Sequence, residues 1–154
     1  MGFFGFSLVF THHEQAAVMA ANTYFRTTGK LALTLVTTGG GSTNALTGVV
    51  SSNMDSIPVL VIAGNEPSRY TTEENNLRIW GIQGFDSVQV MSPVTKFAMR
   101  VTNSSNVAEN MKFAINASLS GKQGVSWVEI PLDLQSVRVV AQDISEAKLS
   151  PVPK

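Results

Sequence analysis

Two histidines and a glutamate, His12, His13 and Glu14, lie next to one another immediately before an alanine-rich stretch that is typical of a helix. Zinc peptidases bind their metal through the pattern H-E-x-x-H, in which both histidines project from one helical face. The position of that second histidine is occupied here by Ala17, and the chain has 2 histidines and 0 cysteines in total. The spacing therefore does not predict a metal site, and Glu14 is the stronger candidate for chemistry.

The glycine-rich stretch at residues 37–44, TTGGGSTN, is a second candidate because a predicted strand gives way to a predicted helix there. The free backbone amides of a helix N-terminus can hold an anion such as a phosphate. However, the stretch has no P-loop lysine, and Asn44 occupies the position of the last glycine in the dinucleotide-binding fingerprint. Taken alone, it is as consistent with a tight packing turn as with a ligand-binding loop.

Both candidates must be positioned by strands and helices, which the apolar pattern predicts. Short apolar runs at residues 8–10, 31–36, 58–63 and 125–130 are typical of strands that are buried on both faces. Helical patterns lie between these runs. The alternation predicts an α/β fold with three layers, in which helices flank a mostly parallel sheet.

Three helices are predicted from their spacing and their end signals. The first ends at Gly29, and its packing stripe consists of Ala17, Ala20, Ala21, Tyr24 and Thr28. The second follows the glycine-rich stretch and is capped by Ser42 or Thr43. The third is capped by Ser104 or Ser105 and packs through Val107, Met111, Ala114 and Ile115.

The composition limits the partners that this chain can have. Of its 154 residues, 44% are hydrophobic and 14% are charged, and the charged fraction is well below the roughly 25% of average soluble domains. We therefore expect part of the surface to be covered by another copy or another domain. Eleven basic residues balance eleven acidic ones, so there is no electrostatic reason to expect nucleic acid or a membrane surface as a partner. The lack of cysteine suits a cytoplasmic location.

The two ends and one internal segment differ from the rest of the chain. Residues 1–10, MGFFGFSLVF, lack the basic start and cleavage site of a secretory signal, so we expect a buried strand there, with a preceding segment missing. Residues 65–80 are polar and predict a surface excursion. Residues 136–154 contain two prolines and no strong pattern, which predicts a linker or tail after a domain at 1–135.

Several motifs in order together resemble one known family. The family is the pyrimidine-binding domain of thiamine-diphosphate enzymes, in the acetolactate synthase and pyruvate oxidase branch. Its motif HEQ-A-A-x-x-A-x-G-Y-A-R-x-T-G resembles HHEQAAVMAANTYFRTTGK of this chain. Its motifs T-x-G-x-G-x-x-N and D-S-x-P-x-x-x-I-x-G resemble TTGGGSTN and DSIPVLVIAG. IQGFDSVQVMSPVTKFAMRV resembles its F-Q-x-x-D and P-x-T-K strand, and GVSWVEIPLDLQ is similar to its closing G-P-V-x-x-x-x-P-x-D-x-Q. The matches extend from residue 8 to residue 135.

The resemblance implies a role for each candidate site residue. Glu14 corresponds to the buried carboxylate that shares a proton with N1' of thiamine diphosphate, and burial is expected to raise its pKa. Gly40, where many relatives carry proline, leaves room for the aminopyrimidine ring, and Asn44 bonds nearby. Gln83 lies on the substrate side, where Ile82 replaces the usual phenylalanine.

The histidines are less clearly assigned. The resemblance allows His13 or His12 to face the substrate as an acid or base, and the alternative is a structural, hydrogen-bonded histidine.

The resemblance also implies partners that the chain itself does not supply. These enzymes bind the diphosphate and its magnesium ion through a separate domain with a G-D-G motif, which this sequence lacks. We therefore expect a homo-oligomer with contact faces at residues 14–28 and 43–53, together with a diphosphate-binding domain or partner chain, and a 2-keto acid as substrate. The alternative is a non-catalytic remnant of the fold that no longer binds the cofactor productively.

Overall fold

The main sheet of the computed structural model is parallel, as the sequence predicts, and has four strands. The structure describes residues 2–3, 6–71 and 80–138. A short antiparallel hairpin of β1 (Gly2–Phe3) and β2 (Phe6–Ser7) precedes the main sheet. That sheet consists of β3 (Leu33–Val36), β4 (Val59–Asn65), β5 (Phe97–Arg100) and β6 (Val125–Pro131), in the order β3-β4-β6-β5. The predicted strands at 31–36, 58–63 and 125–130 coincide with β3, β4 and β6.

Helices cover both faces of this sheet, which confirms the three-layer α/β fold. The longer helices are α1 (Glu14–Thr28), α2 (Gly40–Met54) and α5 (Val107–Leu119), and the short ones are α3 (Ser68–Thr71), α4 (Ser87–Met91) and α6 (Leu132–Gln135). One core lies between the sheet and α1, α2 and α4, and it is formed by Val18, Ala45, Val49, Val61, Met91 and Trp127, among others. The other lies beneath α5 and contains Leu60, Val101, Ala114 and Val128. Its partly buried members include Val107, Met111 and Ile115, so the predicted packing face of α5 is confirmed.

The strand predicted at residues 8–10 is wrong. Leu8, Val9 and Phe10 have no regular structure, and Phe10 is 91% exposed. The apolar run before them pairs with itself, because Gly2 and Phe3 bond to Ser7 and Phe6 in the hairpin. This local pairing takes the place of a position in the parallel sheet.

Strand β3 is not buried on both faces. It lies at the edge of the sheet, where Thr34 and Val36 are buried and Leu35 is 64% exposed. Helix α5 packs against β4, β5 and β6, so it does not cover the face of β3 to which Leu35 belongs. Burial on both faces therefore depends on position in the sheet and not on the apolar run alone.

Helix α1 packs through a stripe that shares Ala21 with the predicted one but otherwise differs from it. Val18, Ala21 and Asn22 are its buried residues, whereas Ala20 and Tyr24 are exposed. The contact with α2 decides this rotation, because a Cβ atom on Gly48 would lie only 2.7 Å from the Cβ atom of Val18. The predicted end is correct, since Gly29 adopts φ 68° and its N–H donates to Phe25 O.

Two of the predicted helix caps are also replaced. Helix α2 begins at Gly40, and its N-cap is Gly39, which makes no side-chain capping bond. Ser42 lies inside the helix and its hydroxyl donates to Thr37 O at 2.9 Å. Before α5, Asn103 caps a 3-10 turn at Ser104–Asn106 by accepting from Ser105 N at 3.0 Å. The local sequence permits several caps, and the position of the chain entering each helix selects one of them.

The predicted surface excursion and the predicted tail fall partly outside the described residues. Residues 72–79 of the excursion and residues 139–154 of the tail are not described. The boundary expected at residue 135 stays a prediction. Within the described ranges, no helix is long and apolar enough to cross a bilayer.

Candidate functional site

Glu14 and Asn44 are in direct contact at the N-terminal ends of two packed helices. Glu14 is the first residue of α1, and Asn44 lies in the second turn of α2. The Asn44 Nδ2 atom donates to Glu14 Oε2 at 3.1 Å, although the residues are 30 positions apart in sequence. One turn further along both helices, Val18 packs against Gly48. The close helix contact therefore sets the distance at which the carboxylate and the amide meet.

The pKa of Glu14 is lowered, which contradicts the expectation that burial raises it. The hydrogen bond from Asn44 has the largest effect, followed by a bond to the backbone N–H of Glu14. Desolvation acts in the opposite direction but is weaker, and the charge of His13 lowers the pKa slightly further. Hydrogen bonds to the charged form outweigh burial here because the carboxylate is only partly buried. Glu14 is consequently an anion and a hydrogen-bond acceptor at neutral pH.

His13 serves as the N-cap of α1. Its backbone is extended, and its Nδ1 atom accepts from the backbone N–H of Gln15 at 3.1 Å. His13 therefore fixes the start of the helix on which Glu14 lies. His12 is exposed beside it.

The glycine turn packs near the carboxylate at Gly41 and is open at Gly40. Gly39 adopts φ 61°, a conformation that favours glycine. A Cβ atom on Gly41 would lie 2.7 Å from Thr37 Cγ2 and 3.4 Å from Glu14 Oε1, so the backbone is closely packed there. In contrast, a Cβ atom on Gly40 would meet nothing within 4 Å. Gly40 is therefore unobstructed, whereas its neighbour Gly41 lies close to Glu14.

Gln83 lies against the same turn from the other side. A Cβ atom on Gly39 would lie 2.9 Å from Gln83 O and 3.5 Å from Gln83 Oε1. The structure thus brings together Glu14, the Gly39–Gly41 turn and Asn44, with Gln83 in contact with the turn at Gly39. Ile82, next to Gln83, is 89% exposed.

Asn65 and Glu66 hold these segments together, and sequence reasoning missed both. Asn65 ends β4, and its Oδ1 atom accepts from Thr38 Oγ1 at 2.9 Å while its Nδ2 atom donates to Phe85 O at 2.9 Å. Glu66 follows directly. The signal was their position after a strand of a parallel sheet, because ligand sites in such sheets lie at the carboxyl ends of strands.

A buried charge cluster anchors the segment that carries Gln83. The guanidinium of Arg100 lies 4.4 Å from the ring centroid of Trp80 and forms an ion pair with Asp86 at 2.8 Å. Arg100 also pairs with the fully buried Glu129, which accepts a second bond from Ser87 Oγ. Residues on both sides of Gln83 are therefore tied to the ends of β5 and β6.

An open groove of about 840 Å³ lies on the sheet face that α5 partly covers. Glu14, Gly40, Asn44 and Gln83 are not among the residues that line it. The groove is bordered by apolar side chains that include Leu35, Ile62, Val107, Ile130 and Leu134. It reaches the supports of the candidate site, because Thr38, Asn65 and Glu66 also line it.

No cluster of three or more histidine, aspartate or glutamate side chains that could hold a metal ion occurs in the part of the chain that the structure describes.

Comparison with known proteins identifies the family to which this arrangement belongs. The family model of the thiamine pyrophosphate enzyme, N-terminal TPP binding domain, matches residues 3–90, which include Glu14, Gly40, Asn44 and Gln83. The chain belongs to this family. Thiamine pyrophosphate (TPP) is another name for thiamine diphosphate, so the resemblance seen in the sequence motifs is confirmed.

Curated relatives place this TPP binding domain near acetolactate synthases. The acetolactate synthase large subunit of Haemophilus influenzae is 33% identical over 129 residues, which is 84% of this chain and 22% of that protein. The isozyme 3 large subunit of Escherichia coli is 34% identical over 130 residues, with coverages of 84% and 22%. The large subunit of Corynebacterium glutamicum is 31% identical over 137 residues, with coverages of 85% and 20%. The chain spans about a fifth of the length of these relatives.

Proposed function

We propose that this chain is the pyrimidine-binding part of a thiamine-diphosphate-dependent, acetolactate synthase-like enzyme that acts on a 2-keto acid. In this proposal Glu14 is the catalytic carboxylate that contacts N1' of the cofactor. The observation that carries the proposal is the contact between Glu14 and Asn44, together with the adjoining glycine turn in which Gly40 is unobstructed. The family match extends over these three residues.

The residues present fit an aminopyrimidine ring. A protonated ring nitrogen needs an anionic acceptor, and the lowered pKa of Glu14 keeps its carboxylate charged. Asn44 occupies one carboxylate oxygen, Oε2, and holds the side chain in place. A flat ring also needs room, and no atom lies within 4 Å of the position that a Cβ atom on Gly40 would occupy.

Glu14 can hold or release a proton only if its surroundings change on binding. When bound, thiamine diphosphate supplies a thiazolium carbon that becomes a nucleophile. A ring that covers Glu14 would remove water from the carboxylate, and desolvation raises the pKa of a carboxyl group. Starting from a lowered value, the pKa of Glu14 would move toward neutrality, where proton sharing with N1' is effective.

The remaining parts of the site are proposed to come from other domains or chains. A diphosphate-binding domain or partner chain would supply the magnesium ion and its ligands. Self-association would use the outer faces of α1 and α2, where Tyr24 is 45% exposed and Met54 is 78% exposed. Gln83 would lie on the substrate side of the bound ring. A cytoplasmic location is proposed with the rest of the enzyme.

Titration of the full 154-residue chain with thiamine pyrophosphate and magnesium, followed by amide NMR, tests this proposal. We expect weak binding, because only the pyrimidine end is held, with shift changes at Gly40 and Asn44. Replacement of Glu14 by alanine should weaken binding by about tenfold, since it removes a charged hydrogen-bond acceptor. Glu14→Gln should bind within a few-fold of the native chain, and so should the control Glu109→Gln, which removes an exposed carboxylate on α5.

The same titration distinguishes the alternative, a fold remnant that no longer binds the cofactor. Absence of any shift change at Gly40 and Asn44 at millimolar thiamine pyrophosphate would favour the remnant and defeat the proposal. In a complete enzyme that contains this domain, Glu14→Gln should lower turnover by a factor of about a hundred or more, because the contact remains while the proton is lost.

A further inference from the structure

The segment that carries Gln83 is a turn built around the side chain of Glu66. Trp80 and Gly84 form an isolated antiparallel bridge, and Gly81 adopts φ 67° between them. The Glu66 Oε1 atom accepts from the backbone N–H groups of Ile82 at 3.3 Å and Gln83 at 3.2 Å. One carboxylate oxygen thus binds two successive amides at the tip of the turn.

The Glu66 side chain lies close to both glycines of this turn. A Cβ atom on Gly81 would lie 2.7 Å from Glu66 Cδ, and one on Gly84 would lie 2.6 Å from Glu66 Cγ and 2.2 Å from Trp80 O. The turn is therefore wrapped closely around Glu66. Since Glu66 directly follows β4 and Asn65, its position is fixed by the sheet.

We propose that Glu66 is a positioning residue that holds residues 80–84 and thereby places Gln83 against the glycine turn at Gly39. Gln83 reaches Gly39 only if the turn keeps its present shape, because its carbonyl oxygen and Cβ atom occupy the space beside Gly39 Cα. Glu66 supplies the acceptor for the amide of Gln83 itself. The substrate-side role of Gln83 rests on the proposed function, whereas the placement of the turn by Glu66 does not.

Three substitutions in the full chain separate the hydrogen bonds from the charge. Glu66→Gln removes the charge but keeps an acceptor oxygen at the same distance. Glu66→Asp keeps the charge but shortens the side chain by one methylene, so its oxygen no longer reaches both amides. Glu66→Ala removes both features. Glu109→Ala, at an exposed position on α5, is the control for loss of a carboxylate elsewhere.

Amide hydrogen exchange at Ile82 and Gln83, measured by NMR, is the first readout. We expect exchange on the order of tenfold faster in Glu66→Ala and Glu66→Asp, and near-native exchange in Glu66→Gln and Glu109→Ala. The nuclear Overhauser contact between Gln83 and Gly39 should disappear in the first two variants and persist in the others. This rescue by glutamine would not occur if Glu66 stabilised the domain only through its charge.

Native exchange in Glu66→Asp, or a retained contact between Gln83 and Gly39 in Glu66→Ala, would overturn the proposal. If Glu66→Ala does not fold, the comparison of Glu66→Asp with Glu66→Gln decides the question alone. Addition of thiamine pyrophosphate to the native chain then tests the proposed function separately. If thiamine pyrophosphate causes no shift change at Gly40 and Asn44 of the native chain, the proposed cofactor-binding function is refuted. The effect of Glu66 on the turn is measured without any ligand and does not depend on that result.

Discussion

Substitution of Gly48 by alanine should disrupt the contact between Glu14 and Asn44 without touching either residue. The added Cβ atom would lie 2.7 Å from Val18 Cβ, 3.0 Å from Val18 Cγ1 and 3.2 Å from Gln15 O. Carbon atoms in contact normally lie about 3.5 to 4.0 Å apart, so the two helices must separate by roughly 1 Å. The atoms in the way belong to the backbone and to a Cβ position, and neither can move by a change of rotamer.

This displacement should change both the free energy of unfolding and the pKa of Glu14. Overpacking costs about 1 to 3 kcal/mol, and alanine in place of glycine inside a helix returns about 1 kcal/mol. We therefore expect a net loss of up to about 2 kcal/mol in the free energy of unfolding. The bond from Asn44 Nδ2 to Glu14 Oε2, now 3.1 Å, would lengthen beyond hydrogen-bond range. The pKa of Glu14 should then rise toward its ordinary value, because its largest lowering influence is that bond.

Urea unfolding and a carbon-detected NMR titration of the Glu14 carboxyl group measure the two effects. The matched control is Gly40→Ala, which places a Cβ atom near the start of the same helix with nothing within 4 Å. It should keep both the native stability and the native pKa of Glu14. A Gly48→Ala variant that matches the native chain in both measurements would refute the link between helix distance and the carboxylate.

Three further predictions concern the same network and its supports. Asn44→Ala should raise the pKa of Glu14, because it removes the bond that lowers this pKa most. Since the pKa is lowered in the folded chain, the stabilisation from Glu14 is complete above its unfolded-state pKa and is lost as the pH falls through the folded-state pKa. The urea midpoints of the variant and the native chain should therefore differ at neutral pH and converge in acid. Gly40→Ala should alter the NMR shift changes caused by thiamine pyrophosphate without abolishing binding, because its methyl group borders the space proposed for the ring and many relatives carry the larger proline there; an unchanged pattern of shifts would place the ring elsewhere. Arg100→Met should destabilise the fold by about 3 to 5 kcal/mol in urea, because it leaves Glu129 buried without its cation, and Glu129→Gln in the same chain should restore part of the loss; equal stability of Arg100→Met and the native chain would contradict this.

The sequence determined the layers of the fold and the central residues of the candidate site. Alternation of apolar runs with helical patterns is a local property, and it correctly predicted β3, β4, β6 and the end of α1 at Gly29. The motifs around Glu14 and Asn44 identified the family, which the family match confirms. Their roles toward a cofactor stay predictions.

Tertiary structure alone decided which faces are buried and how the site is tuned. The stripe of α1 shifted to Val18 because Gly48 of another helix lets it approach, a contact that no period within α1 encodes. The pKa of Glu14 fell where burial was expected to raise it, because the outcome depends on the balance between water access and the bond from Asn44. The proposed positioning role of Glu66 depends on hydrogen bonds that its carboxylate accepts from amides 16 and 17 positions away. Periodicity within one element carries no information about these contacts, since each depends on the distance between atoms of separate elements after packing.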